Sequence, residues 1–205
     1  MKIYMVRHGQ TNENLHRISQ GHFNSQLTSL GIEQAREISK TLKDAEITHA
    51  YSSDLDRCVN TAEEILKHHP NISLIKDDKL REQAKGFFEG QHNSEFKKAV
   101  KDSQIPYEDF KPENGEGLRE CWERAIIFFK SIVKKHKSTD EILIVSHGGP
   151  ISCILASLHR DKIENTKNYS TKGNTSLSII NFDSSNGYSF ELLNSLQHLD
   201  IKLVL

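Results

Sequence analysis

The run Glu141-Ile142-Leu143-Ile144-Val145-Ser146, closed by His147-Gly148-Gly149, decides the class of fold. Its continuous aliphatic stretch is too short for a buried helix and lacks the alternation of a half-exposed strand, so it reads as a strand covered on both faces. A helix is expected to follow the two glycines. Working outward, Lys2 to Val6 reads as a second such strand, ending at the polar turn Arg7-His8-Gly9. Ile32, Ala35, Ile38 and Leu42 recur at three-to-four spacing and predict a helix. Ile47 to Ser52 predicts another strand, and Leu55, Val59, Ala62 and Leu66 predict a helix entered through Ser53 or Asp54 as its cap. Ile72 to Ile75 predicts a short strand.

The longest helix is expected from about Gly117 to His136, with Leu118, Trp122, Ala125, Phe129 and Ile132 or Val133 along one face. Ser176 to Phe182 and Tyr188 to Leu193 predict a strand pair joined by the turn Asp183 to Gly187. Lys101 to Gly117, with Pro106, Pro112, Gly115 and Gly117, reads as a loop within the domain and a candidate lid. Alternation of strands and helices predicts an α/β fold, a three-layer α/β/α arrangement on a mostly parallel central sheet, in a single domain over residues 1–205.

Composition narrows the function. Of 205 residues, 36% are hydrophobic and 27% charged, enough to build a core and too balanced for a disordered polyelectrolyte. Lys and Arg number 27 against 28 Asp and Glu, so no overall basic field favours nucleic acid or an anionic membrane, and neither partner is expected. Neither a signal peptide nor a membrane span is read in the chain, which points to a cytoplasmic protein. Cys58, Cys121 and Cys153 are odd in number and widely spaced, unlike a disulfide framework or a metal knuckle, which fits a reducing compartment.

In α/β sheets ligands gather beyond the carboxyl ends of the strands. Those ends carry Arg7-His8-Gly9, Ser52 to Arg57, Leu80-Arg81-Glu82 and His147-Gly148-Gly149. Two arginines, two histidines and a glutamate suit phosphoryl transfer. Guanidinium forks match phosphoryl oxygens, a neutral imidazole can attack phosphorus, and a carboxylic acid can protonate the leaving alkoxide. Taken singly, each residue also has an ordinary reading: a satisfied histidine, a solvated arginine, or an ion pair between Arg81 and Glu82.

Competing chemistries fit less well. The phosphate loop GxxxxGK[ST] is absent. A cysteine phosphatase needs Arg six positions after its thiolate, where this chain has Glu64, Ile127 and His159. Asp54-Leu55-Asp56 resembles the start of an aspartate-nucleophile motif, but Cys58 stands where Thr or Val is wanted. His68-His69 and the remaining histidines lack the spacing of a metal motif, so no metal and no cofactor is expected.

The segment Val6-Arg7-His8-Gly9-Gln10-Thr11, followed by Asn14, resembles the histidine phosphatase, or phosphoglycerate mutase-like, superfamily. The resemblance continues through Gln20-Gly21, Leu27-Thr28 with Gly31 and Gln34-Ala35, Ser52 to Leu55 with Arg57 and Thr61-Ala62, Leu80 to Glu82 with Gly86 and Glu89-Gly90, and Val145 to Gly149. It spans essentially the whole chain in order. It implies that His8 is the phosphorylated nucleophile and Glu82 the proton donor. Arg7, Arg57 and His147 would bind the phosphoryl group, with Asn14 in support and Gln20, Gly21 and Gly148 also on the substrate side. The implied activity is metal-independent hydrolysis of a small phosphorylated metabolite, with phosphoglycerate mutase or a non-catalytic binding module as alternatives.

Within the superfamily, Ile47 to Leu55 and Asn174 to Phe182 are most similar to TIGAR-type fructose-2,6-bisphosphatases of carbohydrate metabolism. In two places the chain departs from relatives: Ser152 stands where many sugar bisphosphatases and mutases have Arg, and Gly117 where a hydroxyl residue commonly sits.

Overall fold

The computed structural model describes residues 1–204, in which six strands form one sheet in the order β3-β2-β4-β1-β5-β6. The strands are β1 (Lys2–Arg7), β2 (His49–Ser52), β3 (Leu74–Lys76), β4 (Glu141–Ser146), β5 (Leu177–Asp183) and β6 (Gly187–Ser195). β3, β2, β4 and β1 run parallel, and β5 and β6 close the sheet as an antiparallel pair. The helices are α1 (Asn12–Leu15), α2 (Ser29–Thr41), α3 (Asp56–Leu66), α4 (Asn93–Ser103), α5 (Leu118–Lys135) and α6 (Gly148–Leu158). Among the described residues, no helix is long and apolar enough to cross a membrane.

Successive side chains of a strand point to opposite faces, and the central strands bury both. Ile3 and Met5 of β1, with Ile142 and Ile144 of β4, join the core under α5 and α6. Their neighbours Tyr4, Val6, Leu143 and Val145 join a second core under α2 and α3. This double burial is why the aliphatic run of β4 is unbroken. Phe128 and Phe129 of α5 and Ile38 of α2 anchor the two helical layers.

Several elements differ from expectation, among them β2, which begins at His49 and not at Ile47. α3 is not capped by a side chain of Ser53 or Asp54: its N-cap position is Leu55, because Asp54 is drawn into an ion pair with Arg81 (Nε–Oδ1 2.7 Å) and the Ser53 hydroxyl faces His147. β3 is shifted to Leu74–Lys76, with Ile75 exposed at the sheet edge. The start of the expected 101–117 loop is the last turn of α4, which ends at Gln104 in the left-handed region (φ 58°). On α5, Cys121 and Phe128 take the core, and Trp122 is only partly buried.

The turn after β1 is fixed by backbone packed on backbone. A Cβ on Gly31, in the first turn of α2, would lie 2.1 Å from the carbonyl oxygen of Gln10, and one on Gly9 would lie 2.4 Å from the carbonyl oxygen of Gly31. The Gly31→Ala substitution is expected to push α2 off this turn, costing about 1–3 kcal/mol as overpacking does. Urea denaturation checks the loss, and native-state proteolysis should show the 9–31 region opening first.

Candidate active site

A cavity of about 530 Å³ opens at the carboxyl ends of the parallel strands. Arg7, His8, Asn14, Gln20, Gly21, Arg57, Glu82 and Gly148, all expected site residues, line it. His147 does not; it lies behind His8, with ring centroids 5.1 Å apart.

His8 follows β1 and is almost fully buried (3% exposed). Its Nδ1 lies 2.7 Å from the carbonyl oxygen of Gly9, which can only accept, so Nδ1 carries the hydrogen and Nε2 keeps its lone pair. Burial first, then Arg57 and Arg7, hold the imidazole well below its ordinary pKa. The result is a neutral imidazole with a free nucleophilic nitrogen.

Arg57 lies in the first turn of α3 and is fully buried. It donates to the carbonyls of Gly21 (2.8 Å) and Phe23 (2.8 Å), to Ser25 Oγ (3.3 Å) and to His147 Nδ1 (3.2 Å). His147 therefore accepts at Nδ1 and carries its hydrogen on Nε2, which faces Ser53 Oγ at 2.9 Å. Both nitrogens expected to meet a phosphoryl group are engaged by protein, and His147 acts on Arg57 and the back of His8. Arg7 donates from Nη1 to Thr171 Oγ1 at 3.3 Å, and its buried Nε has no partner.

The neighbouring arginines Arg81 and Arg124 are paired with Asp54 and Glu116, whereas among the described residues Arg7 and Arg57 are in no ion pair. Two adjacent cations without a carboxylate partner, Arg57 fully buried and Arg7 with a buried Nε, call for an anion. Asn14 offers a further donor. Its Oδ1 accepts from Thr11 N (3.2 Å) and Asn174 Nδ2 (3.1 Å), which orients the Nδ2 end toward the cavity.

Glu82 stands across the cavity. Its Oε1 accepts from the backbone N–H of Gln83 (2.9 Å) and of Gly149 (3.1 Å), at the N-terminus of α6. A Cβ on Gly149 would lie 2.2 Å from that oxygen, so only glycine leaves the carboxyl in place. The loop carrying Glu82 is gripped by Arg124 of α5, which donates to the carbonyls of Lys79 (2.9 Å), Arg81 (2.6 Å) and Glu82 (2.9 Å). Glu116 fixes Arg124 through two contacts of 2.7 Å.

Glu89, the other nearby acid, is spent on backbone. Its Oε1 accepts from His22 N (2.9 Å) and Lys85 N (3.0 Å). Cys58 is buried and its thiol is pushed far above the ordinary range, chiefly by burial, so it supplies no thiolate. Thr171 and Arg124 escaped the sequence reading, and Gly149 was read only as part of the strand-end motif His147-Gly148-Gly149. Only Gly149 carried a signal, as the second glycine after a strand-end histidine.

A family model described as the histidine phosphatase superfamily (branch 1) matches residues 3–195. The chain belongs to the histidine phosphatase superfamily. Among its superfamily relatives, a probable phosphoglycerate mutase of Proteus mirabilis is 30% identical over 99% of this chain and 97% of its own length. A phosphoglycerate mutase-like protein of Arabidopsis thaliana is 28% identical over 97% of this chain and 87% of its own. In structure, YhfR of Bacillus stearothermophilus superposes with a TM-score of 0.88 at 26% identity, over 97% of this chain and 99% of that one. The alpha-ribazole phosphatase of Shigella flexneri superposes with a TM-score of 0.83 at 26% identity, over 95% and 96%. Phosphatases and mutase-like proteins thus both stand among its relatives.

The buried histidines make stability depend on pH. His147, like His8, is held well below its ordinary pKa, chiefly by burial and then by Arg57. As pH falls through about 6.5, the unfolded chain protonates these histidines while the folded chain does not, so stability present above that pH is lost below it. Each contributes a slope of about 1.4 kcal/mol per pH unit. His147→Gln is expected to remove about 1 kcal/mol of the loss between pH 6.5 and 5.5, measured by urea denaturation in phosphate-free buffer.

Proposed function

We propose that this chain hydrolyses phosphate monoesters of small metabolites through a phosphohistidine on His8. One observation carries the reading: His8 turns a bare Nε2 into a cavity that has, among the described residues, two guanidiniums in no ion pair on one side and a carboxyl group on the other. In the first step Nε2 attacks phosphorus, the ester P–O bond breaks, and Glu82 gives its proton to the departing alkoxide. The Nδ1–H bond to the Gly9 carbonyl stabilises the positive charge that forms on the ring. In the second step water attacks the phosphorus, Glu82 takes its proton, and the P–N bond breaks to return neutral His8 and orthophosphate. Arg7, Arg57 and Asn14 bear the phosphoryl charge throughout, the electrostatic task a metal performs elsewhere.

Sugar phosphates, fructose 2,6-bisphosphate among them, are the first substrates to test. Ser152 donates to the carbonyl of Gly148 (2.6 Å) and is tied to its own helix. Lys85, whose Nζ donates to Gln83 Oε1 (2.7 Å), and Lys167 are the lysines of the cavity lining that a second phosphate could meet. The 30% identity to a probable phosphoglycerate mutase favours a second reading, in which the phosphoryl group passes to another hydroxyl. Dependence of turnover on a bisphosphate primer separates the two.

Rapid quench with labelled substrate is expected to trap an acid-labile, base-stable adduct on His8, and His8→Ala to abolish it; a phosphoserine or an active His8→Ala enzyme would refute the mechanism. Glu82→Gln is expected to slow His8 phosphorylation by about 10² to 10⁴ with alkyl phosphates. With p-nitrophenyl phosphate, whose leaving group is stable as an anion, the loss should be far smaller. Equal losses in single-turnover experiments would make Glu82 a positioning group.

A further inference from the structure

The opposite end of the sheet holds a second cluster of histidines that the phosphoryl chemistry does not use. His49 opens β2, His136 directly follows α5, and Asp140 directly precedes β4. The two imidazole centroids lie 4.1 Å apart, and His136 Nδ1 is 3.5 Å from Asp140 Oδ2. One donor atom from each of the three residues lies within 4.8 Å of the other two. β4 separates Asp140 from His147, and a six-residue strand spans about 20 Å, so this cluster is remote from the cavity.

The surrounding hydrogen bonds prepare these groups as ligands. The Thr48 hydroxyl gives its hydrogen to the carbonyl of Glu141 (3.0 Å), so its contact with His49 Nδ1 at 2.9 Å requires Nδ1 to donate. His49 then keeps a lone pair on Nε2. The outer nitrogen of His136, Nε2, is held by the Tyr51 hydroxyl at 2.8 Å, and Lys135 donates to the same oxygen at 3.2 Å. A metal-bound imidazole is oriented in this way, through the nitrogen that does not face the metal. Asp140 Oδ2 is pinned by the N–H of Lys137 at 2.9 Å.

Bonds of 2.0–2.2 Å in a tetrahedral zinc site place adjacent ligand atoms about 3.4 Å apart. The His136–Asp140 separation of 3.5 Å already matches that edge, and a donor atom of half-buried His49 lies within 4.8 Å of both. We propose that His49, His136 and Asp140 bind a divalent transition-metal ion with the ligand preference of zinc, water filling the fourth position. Two neutral imidazoles and one carboxylate suit zinc, not magnesium or calcium, which prefer oxygen ligands. The ion would clip the start of β2 to the corner between α5 and β4.

The test is calorimetric titration of chelator-stripped protein with zinc chloride, with cobalt(II) absorption as a report on geometry. One equivalent is expected to bind, with the visible bands of tetrahedral cobalt, and to raise the melting temperature. His49→Gln and Asp140→Asn should each weaken binding 100-fold or more, and Tyr51→Phe about 10- to 100-fold. His8→Ala, which disrupts the other histidine pair, should bind as the parent does. Absence of zinc binding by the parent, binding that survives both His49→Gln and Asp140→Asn, or binding lost in His8→Ala would each overturn the proposal. His49→Gln, at a half-buried surface position, should unfold in urea with chelator as the parent does.

Discussion

A buried guanidinium sets the terms for the carboxyl end of this sheet. Arg57 has no carboxylate to neutralise it, and removing a charge from water costs several kcal/mol unless its donors are satisfied. The chain meets that demand with neutral acceptors. The loop after β1 curls over Arg57 so that the carbonyls of Gly21 and Phe23 accept from it, and His147 accepts at its rear. The same residue reaches His8 through Thr61, whose hydroxyl donates to the Arg57 carbonyl (2.7 Å) and accepts from the N–H of Gly9 (3.0 Å). Cation and candidate nucleophile are thereby held as one unit, with the charge left unspent.

The opposite wall solves a different problem. A carboxyl group facing two arginines would collapse onto them if its loop were free. Arg124 prevents this from outside the cavity by binding the backbone carbonyls of Lys79, Arg81 and Glu82, and Glu116 keeps Arg124 from competing for the acid itself. The backbone N–H groups of Gln83 and Gly149 then orient the carboxyl group. The carboxyl group of Glu82 is thus oriented by backbone N–H groups, while Arg124 and His22 hold its loop at the Glu82 carbonyl.

Much of this was legible before the structure. The ends of β1, β2 and β4 that converge on the cavity were each marked by an apolar run stopping at a polar turn, because strands buried on both faces stay largely apolar until they leave the sheet. What stayed hidden was set by tertiary demands. Asp54 reads as a helix cap, yet a bidentate partner in Arg81 outcompetes a lone backbone N–H. Arg124 reads as one more charge on a helix, since its work is done on carbonyls of a segment far away in sequence. The orientation of His147 was equally out of reach, because it depends on which hydrogen Arg57 offers it. The shift of β3 reflects an edge strand with one partner, where side-chain pattern has little hold on register.

Leaving Arg57 and Arg7 without counter-charges has a cost that falls on the empty protein. Their mutual repulsion is relieved whenever an oxyanion enters, and anything that binds the folded chain alone stabilises it in proportion to the logarithm of its concentration. On the proposed function the pocket would not need an ester for this, because the contacts proposed there are to the phosphoryl oxygens. Free orthophosphate would satisfy them too, and would then act at once as a stabiliser of the fold and as a rival to any phosphorylated ligand. Under that proposal the concentration of inorganic phosphate around the protein would set both its resistance to unfolding and the fraction of molecules open for binding.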